Sequence, residues 1–168
     1  MLVEYFPWLL EPSFITMIIR TLVAILCAGV IGYDRNVHGA AAGLRTHILV
    51  CVGSMLAMST GQFAGILYAG VDASRIGASV VSGIGFLGAG SIIITRRNHI
   101  QGLTTAAGLW AAGCIGLAIG ISFFEGAVIG TAAVYFAERA LRRFSKKIIA
   151  EHVKDASTDD AMQDDIPE

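Results

Sequence analysis

Two short polar stretches in an otherwise apolar chain hold most of the side chains capable of chemistry: GYDRNVHGAAAGLRTH from Gly32 to His47, and TRRNHIQGLTT from Thr95 to Thr105. Asp34 is the carboxylate of the first stretch, with Arg35, Arg45, Arg96 and Arg97 around it in sequence. A carboxylate among arginines at the edge of a membrane is expected to be paired. The pair serves either as a salt bridge that sets loop geometry and topology or as part of a partner or ion site. Arg20 is different, because it sits inside an apolar run, where a lone cation costs roughly 2.5 kcal/mol or more. It must snorkel or find a partner, and of the acids on its side of the chain Asp72 and Glu125 are the expected ones.

No arrangement of residues supports catalysis. His38, His47, His99 and His152 form no i, i+4 metal pair, and Ser54, Ser59, Ser79, Ser82 and Ser91 have no base placed for a nucleophilic triad. Such serines more often bond to helix backbone. Cys27, Cys51 and Cys114 lack CxxC spacing, so neither a zinc site nor a disulfide framework is expected. Gly83-Ile84-Gly85-Phe86-Leu87-Gly88 matches the G-x-G-x-x-G fingerprint, but that motif needs a preceding strand and an acid about twenty residues on. After Asp72 the next acid is Glu125. No cofactor is expected, and the identity of any metal is left open.

The elements that must position these residues are membrane spans. The chain is 55% hydrophobic and 15% charged over 168 residues, and its apolar residues lie in long runs. A formal net charge of −1 says nothing useful about nucleic acid, but no basic patch with interleaved aromatics appears and no nucleic-acid partner is expected. Five spans are expected: Phe14 to Tyr33, about Leu44 to Ala64, Ile76 to Thr95, about Leu103 to Gly120, and Ile121 to Ala137. A tight turn somewhere in Gly120 to Gly126 separates the last two. The fold class is an all-α integral membrane protein, a compact bundle of about five transmembrane helices over residues 14–140. Met1 to Ser13 form a short amphipathic lead with Trp8 near the interface, lacking the basic start of a cleavable signal. Residues 141–168 form a basic, then acidic tail expected to be disordered.

Orientation follows from Lys and Arg, which stay on the cytoplasmic side. With five spans, one side holds Arg35, Arg45, Arg96, Arg97, Arg139, Arg142, Arg143, Lys146, Lys147 and Lys154, and the other only Arg75. This predicts a periplasmic N-terminus and a cytoplasmic C-terminus.

Small residues recur at helical spacing. The seams expected to pack the bundle are Ala78, Ser82, Gly85 and Ala89 in the third span, and Ala107, Ala111, Cys114 and Ala118 in the fourth. Ala24, Ala28 and Gly32 form a similar stripe in the first, and Gly53, Ala57 and Gly61 in the second. Magnesium sites usually use one or two carboxylates, and the span interiors contain none. That weakens a transporter reading, although a carbonyl-lined pore through a homo-oligomer stays open.

Four blocks in order carry a family resemblance: Gly32-x-Asp34-Arg35, Ala42-Gly43-Leu44-Arg45-Thr46-His47, Val80-Val81-Ser82-Gly83-Ile84-Gly85-Phe86-Leu87-Gly88-Ala89-Gly90, and Gly102-Leu103-Thr104-Thr105-Ala106-Ala107-x-Leu109-Trp110. Over roughly residues 14 to 140 the chain resembles the membrane domain of the MgtC/SapB family. It departs from the family's pattern at Asp34, where Glu is common, and at Asn36, where an acid is common. The resemblance implies a bacterial inner-membrane protein tied to magnesium-limited growth and survival in host cells. It implies action by contact with other membrane-protein partners, including ATP synthase, with cation transport as the alternative. The interaction or ion-site candidates are Arg20, Asp34, Arg35, Arg45, His47, Arg96, Arg97, Thr104, Thr105 and Trp110.

Overall fold

The computed structural model of the chain describes residues 2–94 and 100–140. Its contacts divide it into two units, Met1–Tyr135 and Phe136–Glu168. In the second, residues 136–140 are helical, and the expected tail lies outside the described residues.

In the first unit a short helix α1 (Leu2–Tyr5) and a 3-10 turn (Pro7–Leu10) precede the long helices. Helix α2 (Phe14–Val37) begins where the Ser13 hydroxyl accepts the backbone N–H of Thr16 at 3.2 Å, satisfying a donor that the first turn leaves open. It continues a full turn past the expected end at Tyr33. Asp34 and Arg35 are therefore helical and buried, at 5% and 7% exposure, instead of lying in a loop. The chain reverses at Gly39, whose φ of +67° suits a residue without a Cβ.

Helix α3 (Leu44–Leu67) returns antiparallel to α2, and Asp72 caps helix α4 (Ala73–Ser91) by accepting the Ser74 N–H at 2.9 Å. The third apolar run was expected to stay helical to Thr95, but the helix stops at Ser91. Ile93–Ile94 forms strand β1, paired antiparallel with strand β2 (Ile100–Gln101) in the register Ile93 to Gln101 and Ile94 to Ile100. Two causes are visible. Ile92, Ile93 and Ile94 are β-branched and suit an extended chain. Gly102, at φ +95°, lies so close to the Ser91 carbonyl that any Cβ would collide with it. Helix α5 (Leu103–Gly120) then matches its expected span. A turn through Ser122, at φ +63°, leads to helix α6, which covers residues 124–135 of this unit.

Helices α2, α3 and α5 are each long and apolar enough to cross a membrane. The closest approach joins α3 and α5, which run parallel. Gly116 abuts the Cys51 carbonyl, and Gly120 abuts the Met58 side chain and the Met55 carbonyl. Antiparallel α4 closes on the same pair, with Ile84 against Gly113 and Gly88 against Ala106. On α2 the expected stripe faces inward: Ala24 and Ala28 are fully buried and Gly32 lies against Leu44 and His47.

The other seams need correction. Ala78, Ser82, Gly85 and Ala89 are exposed on this bundle, and a Cβ at Gly85 would meet nothing within 4 Å. The packed face of α4 is instead Gly77, Ile84 and Gly88. On α5, Ala107 is exposed, Ala111, Cys114 and Ala118 are half-buried, and the close seam is Gly113, Gly116 and Gly120. Small side chains occur on more than one face of each helix, so spacing alone does not pick the face that touches a neighbour.

Candidate functional site

Polar side chains gather in two layers at opposite ends of the bundle. The first lies where α2 begins, α3 ends and α5 turns into α6. Its centre is Arg20, fully buried two turns into α2. All of its hydrogen bonds go to neutral oxygens. Nε donates to Ser122 Oγ at 3.1 Å. Nη1 donates to Ser59 Oγ at 3.1 Å and to Gln62 Oε1 at 3.0 Å. Nη2 donates to Ser122 Oγ at 2.8 Å and to the Leu9 carbonyl at 3.2 Å. A guanidinium has five N–H donors, and these five bonds use the whole set.

The expected acid partner is thus corrected. Asp72 serves instead as the N-cap of α4, and the Arg20 cation is solvated by hydroxyl, amide and carbonyl dipoles. Side-chain hydrogen bonds from Ser74 lead the causes that hold the Asp72 carboxyl below its usual value.

Ser59, Gln62 and Ser122 are site residues that sequence reasoning missed. Ser59 and Gln62, three apart, share one face of α3, which is a readable signal. Ser122 had none, because its role depends on a turn with positive φ that brings it 102 positions along the chain to Arg20. Ser122 Oγ also donates to the Leu9 carbonyl at 2.5 Å, and Ser59 Oγ to the Gly120 carbonyl at 3.0 Å.

The second layer lies where α2 ends and α3 and α5 begin. Arg35 Nη2 donates to Thr105 Oγ1 at 2.9 Å, joining the ends of α2 and α5 across 70 positions. The Asp34 carboxylate lies 3.5 Å from His38 Nδ1, which also meets the Asp34 carbonyl at 2.7 Å. His47, fully buried in the first turn of α3, has Nδ1 2.9 Å from the Gly43 carbonyl, so Nδ1 carries the proton of that bond. Its Nε2 is buried and has no hydrogen-bond partner among the described residues.

The sequence candidates therefore separate. Asp34, Arg35, His47 and Thr105 are drawn together and buried, while Arg45 and Thr104 face outward and Trp110 is half exposed. Arg96 and Arg97 lie outside the described residues. Among the described residues no group of three His, Cys, Asp or Glu is placed to hold a metal ion.

Long helices packed through glycine seams, with buried polar layers near their ends, make this a multi-pass membrane protein of the helix-bundle class. The chain belongs to the MgtC family, whose model it matches over residues 21–147. It is 44% identical over 119 residues to YhiD of Escherichia coli strain K12, named as a candidate magnesium transporter; that match covers 68% of this chain and 55% of YhiD. It is 37% identical to Protein MgtC of Brucella abortus strain 2308, covering 71% of this chain and 48% of the relative. Protein MgtC of Salmonella typhimurium strain 14028s is 35% identical, covering 78% and 54%. The chain spans about half the length of these relatives. No solved structure matches it.

Proposed function

We propose that the chain is a non-enzymatic inner-membrane protein of MgtC type, which supports growth under magnesium limitation or within host cells by contacting other membrane complexes, ATP synthase among them. Its N-terminus faces the periplasm and its C-terminus the cytoplasm, as the distribution of Lys and Arg supports.

The observation that carries this reading over cation transport is the Arg20 layer. A buried guanidinium, held by five bonds to neutral oxygens of the described residues, is a fixed positive charge near one end of the bundle. A divalent cation passing at about 6 Å would meet a repulsion of ~5 kcal/mol at an effective dielectric constant of about 20.

Contact with a partner falls to exposed groups. Arg45 is exposed at the start of α3, whereas Asp34 and Arg35 are buried and cannot reach a neighbour. Co-purification in mild detergent tests this. Arg45→Glu should reduce recovery of membrane partners while the bundle keeps its parental melting temperature. Undiminished recovery would remove Arg45 from the interface.

One fact favours the alternative, a cation transporter or a subunit associated with one: YhiD of Escherichia coli strain K12 is named as a candidate magnesium transporter.

A further inference from the structure

Residues Pro7–Leu10 stand apart from the long helices in how they are held. Leu9 is the one buried side chain of this turn, at 8% exposure, while Trp8 and Leu10 are each 44% exposed. The rest of the attachment is made by backbone carbonyls accepting side-chain donors from the bundle. The Trp8 carbonyl accepts from Thr16 Oγ1 at 3.4 Å. The Leu10 carbonyl accepts from Gln62 Nε2 at 3.3 Å. The Leu9 carbonyl accepts from both Arg20 Nη2 and Ser122 Oγ.

We infer that residues 7–10 are a strap that closes over Arg20, with the guanidinium and the Ser122 hydroxyl as its latch, and that it lifts without unfolding the bundle. A segment attached by one buried side chain and four side-chain hydrogen bonds, two buried at the Leu9 carbonyl and two nearer solvent, has far fewer attachments than the long helices and belongs to the low-stability end of a structure. The helices beneath it are held by glycine seams and a buried apolar cluster that includes Ala24, Ala28, Met55 and Ile119, to which the strap contributes Leu9 alone. That difference allows the strap to open by itself.

Opening has a defined consequence. It strips one acceptor from Arg20 Nη2 and the acceptor of the Ser122 O–H, and both donors must then be satisfied by water or by another oxygen. The closed strap, conversely, completes the five-bond set and keeps water from the cation. Sequence bears on only half of this device. Trp8 and the position of Arg20 are legible, but the convergence of two donors on the Leu9 carbonyl needs the turn at Ser122.

Hydrogen–deuterium exchange of the purified full chain, read by mass spectrometry, tests the strap. The amides of residues 8–13 should exchange faster than those of residues 24–31, yet slower than an unprotected chain. Gln62→Ala and Thr16→Val each remove a strap bond and should speed exchange of residues 8–13 by roughly fivefold, leaving residues 24–31 unchanged. In parallel, an arginine-directed dicarbonyl reagent should modify Arg20 faster by a similar factor in Thr16→Val, which leaves the bonds of Arg20 itself in place.

Three results would overturn the inference. They are full-speed exchange of residues 8–13 in the parent, exchange of that segment in step with the core in every variant, and Arg20 modification that ignores the loosened strap.

Discussion

Arg20 shows how a costly residue is accommodated when no acid among the described residues comes to meet it. Its five bonds engage groups from the N-terminal lead, α3 and the turn after α5, so removing it orphans several buried partners at once. Arg20→Ala should lower stability by about 3 kcal/mol or more, from the lost bonds and the cavity together. Arg20→Met, apolar and of similar length, should cost less, because it removes the buried charge along with its desolvation penalty. Thermal unfolding in detergent measures both, and equal losses would show that filling the space is irrelevant. Asp72 supplies a pH-dependent case. Its folded carboxyl titrates below the unfolded one, so its capping contribution is complete above the unfolded value of ~3.9 and is lost as pH falls through the folded value. Protection of the Ser74 amide should fall on acidification, and Asp72→Ala should abolish that dependence. The charge at Arg20 was legible from sequence as a functional candidate, but its partners were not, since neutral dipoles leave no charge pattern to read.

At the scale of elements, the long apolar runs announced themselves, and α5 matches its expected bounds. Ends were harder to place. Helix α2 runs on through Asp34 and Arg35 because both find buried surroundings, which polarity alone argues against. Helix α4 stops early because Gly102 folds the following chain back against Ser91. The packing seams were legible as a property of the bundle and not as particular faces. Gly116→Leu should lower the melting temperature of the bundle sharply, since its side chain would drive into the Cys51 carbonyl on α3. Gly85→Leu should leave folding intact, because that position is open. Melting temperatures of the two variants in detergent make the comparison, and an equal loss in both would show that α4 packs through Gly85.

For the whole molecule, the class and family were visible in the sequence because composition and four ordered motif blocks depend on no long-range contact. Orientation is a separate claim. Reporter fusions after Glu11 and in the loop of residues 69–72 should read periplasmic, and a fusion after Lys147 cytoplasmic. A cytoplasmic signal from the 69–72 loop would contradict the proposed orientation. The two buried polar layers explain why the candidate residues divide into those that hold the bundle and those a neighbour can touch, with Asp34, Arg35, His47 and Thr105 in the first group and Arg45 in the second. The central claim is that the protein acts by contact and does not conduct magnesium. Its most direct test is magnesium flux into liposomes containing the purified chain. We predict uptake no greater than in empty vesicles, in the parent and in Arg20→Met alike; saturable uptake by the parent, abolished in Asp34→Asn, would contradict it.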